Sequence, residues 1–251
     1  MSERPYVTLS CAMSIDGHLD STVPRRLALS NAADLDRVDQ VRSENDAIMV
    51  GASTLRRDDP RLLVRSQRRR MRRIASGRSS SPAKVTVTSS GDLSADAAFF
   101  SSGESEKIVY CPRGRARRLQ SRLGGVATVV GLGEQVAMTA VLDDLAGRGT
   151  QRLMVEGGGN LLTQFLAGDL VDELQLVIAP FFVGEARAPR VVGPATFPWT
   201  SAHRAVLADT RQIGDVVLLR YALSDRFGSD TRADSLAGLG RERQPLEMAT
   251  R

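Results

Sequence analysis

Apolar residues fall in short unbroken runs separated by stretches with helical spacing. Residues 5–12 read as a first strand, followed by a turn whose tightest point is Asp16-Gly17. Ser30 or Asn31 suits a helix N-cap, and Leu35, Val38 and Val41 recur at three-residue steps, predicting a helix over about 31–44. Residues 46–50 predict a second strand ending at Gly51, then a polar loop over 52–63 that holds Asp58-Asp59-Pro60. Strands follow at 84–88, 107–110, 126–130, 152–155 and 173–179. Helices are expected from Pro112 to about 123, over 135–146 and over 160–167, the last stopped by Gly168. Residues 203–209 and 215–223 then read as a hairpin. Strands alternating with helices before a late hairpin predict an α/β fold: a mostly parallel central sheet, helices on both faces and a C-terminal antiparallel hairpin.

The 251 residues are enough for one large domain, expected over 1–224. Residues 66–82, rich in Arg and Ser, read as a flexible basic insertion, and 225–251 as a polar, disordered tail. With 42% hydrophobic and 25% charged residues the composition is that of a soluble globular protein. No apolar run is long enough to span a membrane, and the first residues lack an export pattern, so a cytoplasmic location is expected. Cys11 and Cys111 read as two reduced thiols, and with His18 and His203 they show no metal-ligand spacing, so no metal site is expected. The net charge is +5, with seven arginines between Arg65 and Arg78. No aromatic residues interleave them, so nucleic-acid binding is disfavoured against a solvated surface.

The chemistry concentrates where the strand through Leu153, Met154 and Val155 ends in Glu156 and runs into Gly157-Gly158-Gly159-Asn160. Glycines allow close approach of backbone, and a helix start presents free N–H groups suited to phosphate. Gly157-Gly158-Gly159-Asn160-Leu161-Leu162 and Gly131-Leu132-Gly133-Glu134-Gln135-Val136 each match the dinucleotide fingerprint G-x-G-x-x-G except at its last glycine. Either reads as a dinucleotide loop or as a plain strand-to-helix turn.

Several segments taken together resemble the pyrimidine reductases of riboflavin biosynthesis. They are Pro5 to Leu9, Met13-Ser14-Ile15-Asp16-Gly17, Val41 to Gly51, Thr54 to Arg65 with its Asp58-Asp59-Pro60, Val155 to Gly159, and Gly168 to Pro180. The resemblance runs from about residue 5 to 222. It implies a dihydrofolate-reductase-like fold, NADPH as cofactor, and a homodimer. It also implies reduction of the ribosyl group of a ribosylaminopyrimidine 5′-phosphate to the ribityl product. Carried over by motif, Ala12, Thr54, Asp58, Ser89, Gly158, Gly159, Asn160 and Leu161 are expected at NADPH. Arg42, Leu62, Arg65 and Glu156 are expected at the phosphorylated pyrimidine, and Asp58 and Glu156 are the candidate catalytic groups. Ser10 stands where bacterial members commonly carry lysine, and Asn160 replaces the usual threonine. No zinc-deaminase motif is present. These departures lean toward the diamino, not-yet-deaminated substrate.

Each residue has a plainer reading. Asp58 and Thr54 could cap a turn, Arg42 could serve the C-terminal dipole of its helix, and Arg65 could be surface. His18 reads as an exposed turn residue and Cys11 as a small core residue. Two other functions compete: an NADPH reductase of the same fold acting on dihydrofolate or another pterin or pyrimidine, and a nucleic-acid-binding module using the arginine run.

Overall fold

The computed structural model describes residues 3–23 and 26–228. The chain runs β1 (Tyr6–Ser14), α1 (Ala32–Glu44), β2 (Ala47–Gly51), α2 (Ala52–Asp58), α3 (Gln67–Ala75), β3 (Ala83–Val87) and α4 (Ala98–Ser101). It continues with β4 (Lys107–Cys111), α5 (Arg113–Leu123), β5 (Thr128–Gly131), α6 (Met138–Gly147), β6 (Arg152–Gly157), α7 (Gly159–Ala167), β7 (Glu173–Ala179), β8 (Val206–Ile213) and β9 (Val216–Ala222). The strands form one sheet in the order β5-β4-β3-β2-β6-β1-β7-β9-β8. Every pair is parallel except β7 with β9 and β8 with β9. The expected mostly parallel sheet and antiparallel hairpin are both present.

Two apolar layers sandwich the sheet. On one face Val7, Leu9, Met49, Leu153 and Val155 pack against Val141, Leu142 and Leu145 of α6 and Leu161, Leu162 and Phe165 of α7. On the other, Ile48, Val50, Met154 and Val109 pack against Val41 of α1, Leu55 of α2 and Leu119 and Leu123 of α5. Neighbouring residues of β6 (Leu153 and Val155 against Met154) therefore serve opposite faces, and all are fully buried. That is why the run is apolar without alternation. The chain leaves β1 for β2, fills outward to β5, then returns to insert β6 between β1 and β2. The C-terminal ends of β1, β2 and β6 thus meet at a reversal of strand order, where open α/β sheets leave a crevice.

Three local expectations change. Residues 52–58, expected as loop, form α2, which Asp59 closes in a left-handed conformation (φ 40°). The 66–82 stretch, expected as a flexible insertion, contains α3, capped by the Ser66 side chain. Two of its arginines are buried and spent internally. Arg69 donates to Asp36 (2.6 and 2.7 Å) and to Asp39 (2.9 Å) on α1, and Arg73 donates to the carbonyls of Ser43 (2.9 Å), Asn45 (2.6 Å) and Ser79 (2.8 Å). Both side chains are buried, so two members of the basic run are unavailable to a nucleic acid. Of the expected tail, Arg226 is held by Asp172 (3.1 Å) and by the carbonyl of Arg4 (3.0 Å), and residues 229–251 lie outside the described residues. Among the described residues no helix is long and apolar enough to cross a membrane, and no cluster of His, Cys, Asp and Glu is placed to hold a metal.

The Asp39 carboxylate ties α1 to the start of α3. Burial opposes its charge, yet the N–H groups of Arg65 and Ser66 and the Arg69 guanidinium hold its carboxyl below the usual range. A lowered folded-state value contributes stability above the unfolded value of about 3.9, and that stability is lost as pH falls through the folded value. Urea denaturation across acid pH should show this loss in the native chain and a flatter profile in Asp39→Asn. Arg69→Ala should cost about 2–3 kcal/mol at neutral pH, since charged hydrogen bonds are removed from a buried carboxylate.

Candidate active site

Glu156 is positioned by an irregularity in β6. Met49 of β2 pairs with Val155, but Val50 pairs with Gly157, so Glu156 is passed over in the ladder as a bulge. It shares the parity of Met154 and so faces the α1 layer. There the last turn of α1 delivers Arg42, which donates from Nε to Oε1 (2.5 Å) and from Nη2 to Oε2 (2.6 Å). This bidentate pair is mostly buried, with side-chain exposures of 18% and 14%. Burial works against the Arg42 charge, but Glu156 and Asp39 outweigh it and push its pKa upward. Arg42 is therefore a site cation as well as a helix-terminal one.

Gly157 (φ 118°) and Gly158 (φ 76°) then turn the chain through backbone conformations that side chains resist. Gly158 is the N-cap of α7, and Asn160 stands exposed in the first turn instead of capping. The glycines have specific neighbours. A Cβ on Gly158 would lie 2.7 Å from Oγ1 of Thr54, and one on Gly159 would lie 2.5 Å from the carbonyl oxygen of Arg190. Part of the need for glycine is thus internal packing, in addition to any ligand.

The segment that approaches Gly159 is a strap over residues 189–193. Leu19 N–H donates to Pro189 O (2.7 Å), Val191 N–H to Gly17 O (3.1 Å) and Gly193 N–H to the Thr163 hydroxyl (2.8 Å). Asp16 anchors the turn beneath it. Its carboxylate accepts from the Ser14 hydroxyl (2.6 Å), Val183 N–H (3.0 Å) and Gly184 N–H (2.7 Å), which hold its pKa well below the ordinary carboxylate range. His18, expected exposed, is 2% exposed, with Nδ1 3.3 Å from the Ala188 carbonyl. It closes this turn and does not line the cleft. Cys11 is buried as expected, and burial pushes its thiol up to about 12, far from a thiolate nucleophile.

Between strap, α1, α2 and the start of α7 lies a cleft of about 770 Å³. Ala12, Arg42, Thr54, Asp58, Glu156, Gly158, Gly159 and Asn160, all singled out in the sequence, line it together. Four other candidates are elsewhere. Leu62 is 2% exposed with a left-handed backbone (φ 50°), packed in the core beside Leu55. The Leu161 side chain is also in the core, and its N–H is engaged by Gly158 O (2.8 Å). Arg65 turns outward and donates to Leu35 O (2.7 Å), and Ser89 is exposed beyond the end of β3. The second fingerprint candidate, Gly131, ends edge strand β5 and packs on Ala116 of α5, away from the cleft. Sequence reasoning missed Asp20, Arg26, Asp34, Arg37, Arg57 and Arg190, which also line the cleft. Asp20 pairs with Arg57 (2.9 Å) and Arg26 with Asp58 (3.3 Å), contacts between the loop after β1 and α2 that no local spacing announces.

An open α/β sheet with its cleft at the strand-order reversal, walled by a glycine-led helix start and an Arg–Glu pair, is the architecture of the dihydrofolate-reductase-like fold. The chain belongs to the RibD C-terminal domain family, which matches residues 5–219. It is 36% identical over 195 residues to the 2,5-diamino-6-ribosylamino-4(3H)-pyrimidinone 5′-phosphate reductase of Archaeoglobus fulgidus, covering 77% of this chain and 89% of that protein. The enzyme of the same name from Methanothermobacter thermautotrophicus is 34% identical, covering 88% of this chain and 99% of its own length. The solved structure of Acinetobacter baumannii RibD superposes with a TM-score of 0.71 at 24% identity, over 87% of this chain and 58% of that one. The resemblance read from the motifs is therefore borne out.

A methyl group at Gly159 cannot be accommodated unless the strap moves, because the atom it meets is backbone. Gly159→Ala should cost about 1–3 kcal/mol in urea denaturation, in the range of overpacking. Gly147→Ala, with nothing within 4 Å, is the control and should show no loss.

Proposed function

We propose that the protein is an NADPH-dependent reductase that converts the ribosyl group of 2,5-diamino-6-ribosylamino-4(3H)-pyrimidinone 5′-phosphate to the ribityl chain. The observation that carries this reading is the convergence of two subsites on one strand end. At the end of β6, Glu156 faces Arg42 while the next residues open α7.

The cofactor reading rests on the cleft itself. The first N–H groups of a helix lack intrahelical partners and favour phosphate, and α7 begins at Gly159 in the cleft wall. Thr54 and Asp58 on α2 and Ala12 complete the wall of this NADPH site. NADPH, when bound, supplies the hydride for the sugar C1′. Gly158, Gly159 and Asn160 would hold its pyrophosphate, with Thr54, packed beside Gly158, and Asp58 adding polar side chains to the same site. Asp58 and Glu156 remain the candidates for moving a proton, since both carboxylates line the cleft. Glu156, fixed by Arg42, accepts hydrogen bonds from substrate hydroxyl or N–H groups and orients the acceptor carbon against the donor. Arg42 supplies the cation for an anionic substrate. Leu62 and Leu161 act through packing, while Arg65 and Ser89 stand outside the cleft and hold no ligand in this reading. The chain acts as a homodimer, placed in the cytoplasm.

The test is NADPH oxidation with the diamino substrate, its deaminated counterpart and dihydrofolate. Turnover of a ribosylaminopyrimidine phosphate is expected, and its absence with both forms would sink the reading. Arg42→Ala should lower kcat/KM for the phosphorylated substrate by about 10- to 100-fold, as charged hydrogen bonds are lost. A dihydrofolate-type enzyme would instead turn over dihydrofolate and neither ribosylaminopyrimidine phosphate.

A further inference from the structure

Arginines 26, 37, 42, 57 and 190 all line the cleft. Four of them are hydrogen-bonded in place. Arg37 Nε donates to Asp34 Oδ1 (2.7 Å) and Arg42 to both oxygens of Glu156 (2.5 and 2.6 Å). Arg57 donates to the Ser21 carbonyl (3.0 Å) while pairing with Asp20, and Arg190 donates to the Asp16 carbonyl (3.4 Å). Arg26 differs. Among the described residues its guanidinium makes no hydrogen bond, and its contact with Asp58, Nη1 to Oδ2 at 3.3 Å, is the longest of the cleft's carboxylate pairs. The Arg26 side chain is 68% exposed and that of Asp58 12%, so the cation is accessible while its acid is largely enclosed.

The place of this pair in the cleft gives it a use. Asp58 ends α2 four residues after Thr54, so the two side chains stand on one face of the helix. Thr54 in turn packs on the glycine turn, its Oγ1 2.7 Å from where a Cβ on Gly158 would lie. Arg26 thus brings a charge from the loop after β1 to the wall that holds the start of α7. An anion arriving there without it meets an unfavourable balance. The first turn of α7, Gly159-Asn160-Leu161-Leu162, has no basic side chain, and the Asp58 carboxylate repels a phosphate placed beside it. Arg26 cancels that repulsion. A guanidinium has five N–H donors in a fixed fork, so contact with Asp58 on one side leaves donors for a second anion on the other. An exposed ion pair of this kind is weak, whereas guanidinium and phosphate bond strongly through charged donors.

We propose that Arg26 is a phosphate-binding residue of the cleft, held at the site by Asp58 and donating to a phosphate of the bound dinucleotide. This rests on the NADPH reading above, and it adds the side chain that supplies positive charge to that site. Two phosphates share the required chemistry. The pyrophosphate is common to NADPH and NADH, whereas the ribose phosphate belongs to NADPH alone, so the two cofactors separate the sources.

The test is calorimetric titration of NADPH and of NADH into the native protein, Arg26→Ala and Arg26→Lys, at low and at high salt. The side chain is exposed and weakly paired, so the urea midpoints of the variants should match that of the native protein. The Kd for NADPH should rise about 10- to 30-fold in Arg26→Ala. Arg26→Lys keeps the charge but loses the fork, and should recover part of that loss. Added salt should weaken NADPH binding to the native protein more than to Arg26→Ala, because the variant lacks one screened contact. A purely structural role leaves the salt dependence unchanged. Weaker binding of both cofactors places Arg26 on the pyrophosphate, and a loss confined to NADPH places it on the ribose phosphate; either result supports the proposal. An unchanged Kd for NADPH in Arg26→Ala overturns it, even if the KM for the phosphorylated pyrimidine rises. Failure of the native protein to bind NADPH overturns the cofactor reading itself, and with it this one. Should Arg26→Ala not fold, Arg26→Gln, which retains a long side chain without the charge, carries the same measurements.

Discussion

The bidentate contact between Arg42 and Glu156 joins the two halves of the cleft. Glu156 belongs to the sheet, at the point where β6 bulges and gives way to α7. Arg42 belongs to the last turn of α1, which lies across the sheet. Both groups are largely buried, so neither is stable alone: an unpaired charge there loses its hydration without compensation. The pair thus sets the distance between helix and strand end, and the cleft exists in the gap it defines. A ligand entering that gap meets charges already desolvated and oriented, which makes their contacts strong.

Helix α1 is the element on which this arrangement depends. Its apolar stripe, Val38 and Val41, docks on the sheet beside Ile48 and Met154. Its polar residues divide the remaining tasks. Asp36 and Asp39 bind Arg69 and hold α3 on the outside, while Asp34, Arg37 and Arg42 line the cleft. The arginine run that suggested a nucleic-acid surface is partly consumed in this way, as a clamp on α1. The strap at 189–193 closes the other side, and Asp16, the acid of the Met13-Ser14-Ile15-Asp16-Gly17 segment, serves that closure by gathering backbone N–H groups.

Much of the architecture was legible because it follows from local periodicity. The unbroken apolar runs marked buried parallel strands, and β8 and β9 were anticipated, although β8 extends further, to Ile213, than its pattern indicated. α2 was missed because its seven residues, Ala52–Asp58, are mostly polar with a single large apolar residue, Leu55. α3 was missed for a related reason: an Arg-rich segment has no apolar stripe, and its buried face is built from guanidinium groups whose partners lie on another helix.

The order of the strands and of the helices other than α2, α3 and α4, the glycine turn after Glu156, and the family are legible in the sequence. These depend on residues near one another or on motifs matched in order. Only the tertiary structure decided which candidates share a cleft. It admitted Ala12, Arg42, Thr54, Asp58, Glu156, Gly158, Gly159 and Asn160, and it set Leu62, Arg65, Ser89 and Leu161 apart. It also revealed Arg26, whose character depends on its contact with Asp58. Burial and hydrogen-bond satisfaction are properties of surroundings gathered from distant parts of the chain, so a residue's neighbours in sequence do not report them.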